Sequence, residues 1–249
     1  MDELTFHRAL YRPGTLIDAG AHDGALTLPL AALPGARVLA FEPWPPAFAR
    51  LARAVAGDPT IEARPQALGA RAGRLELAVP VVGGVAQEQW ASLAKDYDAI
   101  AAADPRVEAI LRAEVEVLAL DSLDLADVTA MKIDVEGAEA ELLAGAEATL
   151  RRCRPVLSVE IEERHRAGST RAVPQWLAAR GYRGFFALDG VWREIAAFDA
   201  ATMQVASPSP ASFAASEPYV FVFFFIPAER DVAEMSIFRS CWPEKTSPN

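Results

Sequence analysis

Apolar residues in this chain fall into short continuous runs, separated by segments in which they recur at three- and four-residue steps. The runs at 15–19, 38–41, 61–67, 130–135 and 156–161 predict strands. Helical spacing follows each of the central ones. A helix over 24–33 is stopped by Pro34 and Gly35, and a second opens on Pro45 and Pro46 and carries Ala47, Phe48, Leu51 and Val55 on one face. A third covers 139–150 with Leu142, Leu143, Ala146 and Leu150 aligned. A fourth begins at Pro174 and closes at Gly181. A short helix over 3–11 leads in. Residues 74–79 and 115–120 read as hairpin-like and edge-like strands, and 185–195 as two short strands around the turn pair Asp189-Gly190. Residues 205–218 read as a loop, and 219–225 as an apolar strand buried on both faces.

Strands alternating with helices predict an α/β fold. Its sheet is mostly parallel and twisted, with helices on both faces and an antiparallel hairpin at one edge. The expected organisation is a lead-in over 1–14, one domain over 15–227 and a tail over 228–249. Residues 83–114 stand apart. Trp90, Leu93, Ala94, Tyr97 and Ile100 share one helical face, and Asp104-Pro105 reads as an N-cap with proline at N1 of a second helix through Leu111. An inserted helical pair is therefore expected, either covering the sheet or acting as a lid over a site.

Composition narrows the function. The 249 residues are 52% hydrophobic, enough for a buried core, and the formal charge is −10. That charge argues against a nucleic-acid partner, which needs cations to neutralise phosphates. No basic-then-apolar leader is visible, and no apolar run is long enough to span a bilayer, so no membrane partner is expected. Two distant cysteines, Cys153 and Cys241, make neither a disulfide framework nor a zinc site, which suits the cytoplasm.

Candidate chemistry gathers where the predicted strands end. In TLIDAGAHDG, residues 15–24, an apolar strand ends in Asp18 and turns through Gly20, Ala21 and His22 to Gly24. Main-chain N–H groups at such a junction are free to face a ligand, and glycines let the backbone come close to it. Glu42, followed by Pro43, tips the second strand, where a carboxylate accepts from both ribose hydroxyls of an adenine nucleotide. Gln66 and Ala67 end the third strand, within reach of an adenine edge. Lys132, Asp134 and Glu136 alternate with apolar residues and so share one side of a strand and its extension. Glu160 ends the neighbouring strand and His165 lies just beyond it. Asp134, Glu136, Glu160 and His165 are the candidate proton acceptors.

The spacing of Gly20 and Gly24 is not the G-x-G-x-x-G of a pyrophosphate loop, and Asp18 would repel a pyrophosphate. A carboxylate there suits a cationic ligand such as S-adenosyl-L-methionine (SAM), which carries an ammonium and a sulfonium. A nicotinamide-dependent oxidoreductase stays as the alternative, because Gly20 and Glu42 are suitably spaced. A protein that binds SAM without catalysis is a third reading. Asp134, Glu136 and Glu160 also offer hard oxygen ligands to a divalent metal, but no spacing demands one, and no metal site is assigned.

Together these stretches resemble a known family. Residues 16–24 (LIDAGAHDG), 41–43 (FEP), 120–123 (LDSL), 132–139 (KIDVEGAE) and 154–160 (RPVLSVE) resemble FkbM-type SAM-dependent methyltransferases. The resemblance implies a Rossmann-like class I methyltransferase fold and O-methylation of a hydroxyl on a sugar or natural product. It implies that Asp18, Gly20 and Gly24 line the methionine part of SAM and that Glu42 holds the ribose. It places Asp134 and Glu136 beside the methyl group and the acceptor. Where the family usually has an Asn-like residue, this chain has His22.

Overall fold

The computed structural model describes residues 2–207 and 209–230. From the N-terminus run α1 (Glu3–Leu10), β1 (Gly14–Ala19), α2 (Thr27–Ala31), β2 (Ala36–Phe41), α3 (Pro45–Ala54), β3 (Ile61–Arg64) and β4 (Ala67–Leu68). The middle holds β5 (Gly73–Val82), β6 (Val85–Ala86), α4 (Tyr97–Ala103), β7 (Val107–Leu118) and β8 (Val128–Ile133). Then follow α5 (Glu139–Gly145), α6 (Glu147–Cys153), β9 (Val156–Glu160), α7 (Ser169–Ala178), β10 (Tyr182–Leu188), β11 (Val191–Glu194), α8 (Ala200–Met203) and β12 (Val222–Pro227).

Eight strands form one sheet in the order β11-β10-β12-β9-β8-β1-β2-β3. From β9 to β3 all neighbours are parallel, while β12, β10 and β11 pair antiparallel. The chain winds outward from β1 to β3, then returns to lay β8 on the other side of β1. Strand order reverses there, and the crevice at the carboxyl ends of β1 and β8 is where such sheets bind ligands.

Side-chain alternation divides the core between two faces. Ile17, Leu39, Met131, Ile133, Leu157 and Val159 pack under α5 to α7, and Leu16, Val38, Ala40, Ala130 and Val156 pack with Phe6 and Leu10 of α1 and Leu51 of α3. On that second face the apolar residues give way, toward the carboxyl ends, to Asp18, Lys132, Ser158 and Glu160. Among the described residues, no helix is long and apolar enough to cross a membrane.

Several local expectations are corrected. Residues 83–114 are not a helical pair. They hold β6, a short 3-10 turn over Glu88–Trp90, α4 and the first two-thirds of β7. Asp104 does not start a helix; it ends α4 and binds the Arg106 guanidinium in the turn before β7. Strand β7 is stabilised along its length by pairing with β5, in a second sheet ordered β4-β7-β5-β6. Such a partner is invisible to local spacing. The run 61–67 divides for the same reason, since β3 joins the large sheet and β4 the small one. The helix expected over 24–33 is confined to α2, the one over 139–150 breaks at Ala146, and Pro174 lies inside α7 rather than at its start. Most of the tail lies outside the described residues.

Candidate functional site

A cavity of about 390 Å³ opens at the carboxyl ends of β1, β2, β8 and β9, within the range of small-molecule sites. Its floor is Ala19 and Gly20 after β1, Phe41, Glu42 and Pro43 after β2, and Gln66, Ala67 and Leu68 at β4. Its far wall is Asp134, Val135, Glu136 and Ala138 after β8, with Glu160 and Arg164 beyond β9. The roof is a strap of the small sheet, Glu88, Gln89, Trp90, Ala91 and Leu93.

Gly20 is required by close approach. Its φ is +78°, and a Cβ there would fall 1.8 Å from the carbonyl oxygen of Asp134. The N–H groups of Gly20 and Ala21 both donate to Phe41 O, at 2.9 and 3.0 Å, which folds the loop back over β2. Glu42 is 6% exposed. Its Oε2 accepts from the His22 N–H and its Oε1 from the Trp44 N–H, each at 2.8 Å. Burial pushes the Glu42 carboxyl up, against those two bonds. Each oxygen keeps a lone pair for a further donor.

Gln66 donates from Nε2 to Glu116 at 3.1 Å, so its Oε1 is the acceptor end, and that oxygen is buried with no hydrogen-bond partner. Ala67, Leu68 and Leu77 lie with it on an apolar wall. An orphaned acceptor above apolar surface fits an adenine with its amino group.

At the other end, Asp134, Glu136 and Glu160 bring one oxygen each within 4.8 Å of one another. Lys132 Nζ lies 3.4 Å from Asp134 and 3.6 Å from Asp18. Burial works against its charge, but Asp134, Asp18, Glu3 and Glu160 outweigh it, and Lys132 stays protonated. Burial, then repulsion from Asp134, Glu136 and Glu162, pushes Glu160 well up. Burial pushes Glu136 up to about 7, with Lys95 opposing. Excess negative charge around an open cavity is what a cationic ligand relieves.

The expected residues divide into those at the cavity and those behind it. Gly20, His22, Glu42, Pro43, Gln66, Ala67, Asp134, Glu136 and Glu160 line it. Asp18, Ala21, Gly24 and His165 do not. Asp18 is fully buried; its Oδ2 accepts from Thr27 at 2.6 Å, and it reaches the site through Lys132. Gly24 faces Leu51, where a Cβ would sit 3.1 Å from a methyl group, so it serves helix packing. His165 is not solvated. Its side chain is 1% exposed, and Nε2 lies 3.0 Å from Glu136 and 3.1 Å from Glu162. Burial pushes it down to about 4, so it is neutral and stands behind Glu136.

Sequence reasoning missed Glu88, Gln89, Ala91 and Arg164. Glu88 binds Arg50, accepts from Trp44 Nε1 at 3.0 Å and lies 3.5 Å from His22 Nε2. Its nearness to Trp90 in an insert already suspected of being a lid was the available signal.

The mostly parallel sheet with its cavity at the strands' carboxyl ends is the class I methyltransferase fold, and the comparisons give the family. The profile of the methyltransferase FkbM domain matches residues 18–183, so the chain belongs to the FkbM methyltransferase family. Comparison with curated proteins gave no match. Among solved structures, the FkbM methyltransferase of Methylobacillus flagellatus KT superposes with a TM-score of 0.52 at 15% identity, over 90% of this chain and 50% of that one. The chain thus spans half the length of that relative, and the likeness concerns the fold. A precorrin-6y C5,15-methyltransferase of Geobacter metallireducens GS-15 gives 0.45 at 14% identity, over 90% and 86% of the two chains. A SAM-dependent O-methyltransferase of Thermotoga maritima gives 0.45 at 10%, over 92% and 66%.

Proposed function

We propose that the protein moves the methyl group of SAM to a hydroxyl oxygen of a small-molecule acceptor, a sugar or natural product, in the cytoplasm. The observation that carries this is the ring of carboxylates Glu42, Asp134, Glu136 and Glu160 lining one cavity at the carboxyl ends of a parallel sheet. Glu42 would hold the ribose hydroxyls, Gln66 with Ala67 and Leu68 the adenine, and Gly20 with Asp134 the methionine end. When bound, SAM supplies a methyl group already activated on a cationic sulfur.

The chain's own contribution is placement and proton acceptance. Gly20 and Asp134 would hold the methionine end of the donor, and Glu136 or Glu160 would take the proton that an acceptor hydroxyl loses. A carboxyl at about 7 is matched to that task at neutral pH. His165 supports Glu136 from behind. The formal charge of −10 favours a small acceptor over a nucleic acid. We assign the acidic cluster to the cationic donor rather than to a metal, because two ammonium groups already stand against it, Lys95 on Glu136 and Lys132 at 3.4 Å from Asp134.

The test is calorimetric titration with SAM, followed by a screen of hydroxyl compounds for release of S-adenosylhomocysteine. SAM binding with turnover on a hydroxyl acceptor is expected. Tighter binding of NADH than of SAM would restore the oxidoreductase reading, and SAM binding without turnover on any acceptor would favour a non-catalytic role.

A further inference from the structure

The strap over the cavity is fastened at both ends. Toward β2 and α3, Glu88 holds Arg50 and Trp44. Toward β8, both contacts fall on one residue: Ser92 Oγ donates to the main-chain oxygen of Glu136 at 2.6 Å, and Lys95 Nζ donates to Glu136 Oε2 at 2.5 Å. The Lys95 side chain is 4% exposed and that of Glu136 12%. The Lys95 ammonium also lies 4.9 Å from the centre of the Trp90 ring, a strap residue. Glu136 has a φ of +53°, a conformation costly for a residue with a side chain, and the Ser92 bond helps to hold it. Glu136 lines the cavity, and its Oε1 has no hydrogen-bond partner among the described residues.

Resting on the methyl-transfer reading above, we propose that Lys95 is a positioning residue: the closed strap fixes its ammonium on Glu136 Oε2 and leaves Oε1 to receive the acceptor's proton. The step balances. The acceptor O–H bond breaks and its proton passes to Oε1. The oxygen forms a bond to the methyl carbon, and the electron pair of the broken C–S bond stays on sulfur. The products are the methyl ether, neutral S-adenosylhomocysteine and a protonated Glu136, which then returns its proton to solvent. An open strap withdraws Lys95, and Glu136 is then too basic to be ionised at neutral pH. Strap closure thereby arms the proton acceptor.

The groups facing Glu136 act on it in both directions. Lys95 from the strap and Arg164 from the turn after β9 lower its proton affinity. Burial raises it most, and Asp134 adds to that. Glu160 at the end of β9, Glu162 beyond it and Glu139 on α5 are further carboxylates in the same cluster, and His165 is neutral. Tyr97 on α4 keeps its proton, which it donates to Trp90 O. Removing Lys95 deletes the strongest opposing charge.

The experiment reads Glu136 directly and needs no acceptor. The full chain is labelled with [δ-¹³C]glutamate, and the Glu136 signal is identified by its loss in Glu136→Gln. Its titration is then followed in wild type, Lys95→Gln, Lys95→Met and Lys95→Arg, with melting curves for each. The expected wild-type midpoint is near 7. Either neutral variant should move it upward by about one unit or more, a tenfold gain in proton affinity, and Lys95→Arg should bring it back. An unmoved midpoint in a folded neutral variant would overturn the proposal. So would an ordinary carboxylate midpoint in wild type, which needs no variant. Calorimetry with SAM on the same samples separates the two levels: failure of SAM to bind sinks the functional reading, whereas binding with an unmoved midpoint sinks only the role of Lys95.

Discussion

Lys132 donates to the carbonyl oxygen of Gly20 at 2.5 Å, tying the cation of β8 to the loop that leaves β1. The same ammonium serves Asp18 and Asp134. Lys132→Met would strand the buried Asp18 carboxylate, whose Oδ1 has no hydrogen-bond partner. The expected loss is about 3–5 kcal/mol, seen as a lower urea midpoint at unchanged slope. An unchanged midpoint would show that Lys132 is not the countercharge of the site.

Glu42 bonds two main-chain N–H groups with two oxygens. Glu42→Gln turns an amide N–H toward one of those donors, so even this isosteric change disturbs the loop. Each hydrogen bond to a charged group contributes about 1.5–3 kcal/mol, so SAM affinity should fall about 10- to 100-fold. Calorimetry measures it, with circular dichroism to show that the fold persists. Equal affinity in variant and wild type would remove Glu42 from the ribose site.

Glu88 fastens the strap at the mouth of the cavity. Glu88→Ala frees Arg50 and the Trp44 indole, so SAM should leave about 10-fold faster while the melting temperature changes little. Stopped-flow displacement reads the rate. Deleting the whole insert is a poorer test, because it removes the β7 residues at seven of the ten positions paired with β5.

Binding of SAM should depend on pH with a definite sign. Glu136 and Glu160 are both raised, so each carries a proton more readily in the empty site than an ordinary carboxylate does. A cation favours their ionised forms, so binding releases protons. Affinity therefore rises with pH through the region of 7, where Glu136 ionises. Calorimetry near neutral pH in two buffers of different ionisation enthalpy counts the protons; uptake instead of release would contradict the assignment.

Chelation gives an independent check on the acidic cluster. With the Lys95 and Lys132 ammonium groups already set against Glu136 and Asp134, treatment with EDTA should leave SAM affinity and turnover unchanged. Loss of activity restored by Mg²⁺ would reassign Asp134, Glu136 and Glu160 as metal ligands.

The sequence by itself determined the parallel half of the sheet and the acids at its carboxyl ends. Strands β1, β2, β8 and β9 are short apolar runs bounded by prolines, glycines and charges, and such signals are local. Glu42, Asp134, Glu136 and Glu160 could be placed at the site because a strand's end is also the sheet's edge. Tertiary structure alone decided the rest. The start of β7, through Leu111, looked helical until β5 supplied its partner, since β preference depends on neighbours distant in sequence. Asp18 lies behind the cavity rather than in it, because Lys132 and Thr27 draw its carboxylate inward. The contact of Lys95 with Glu136 joins residues 41 positions apart, and only the closed strap makes them neighbours.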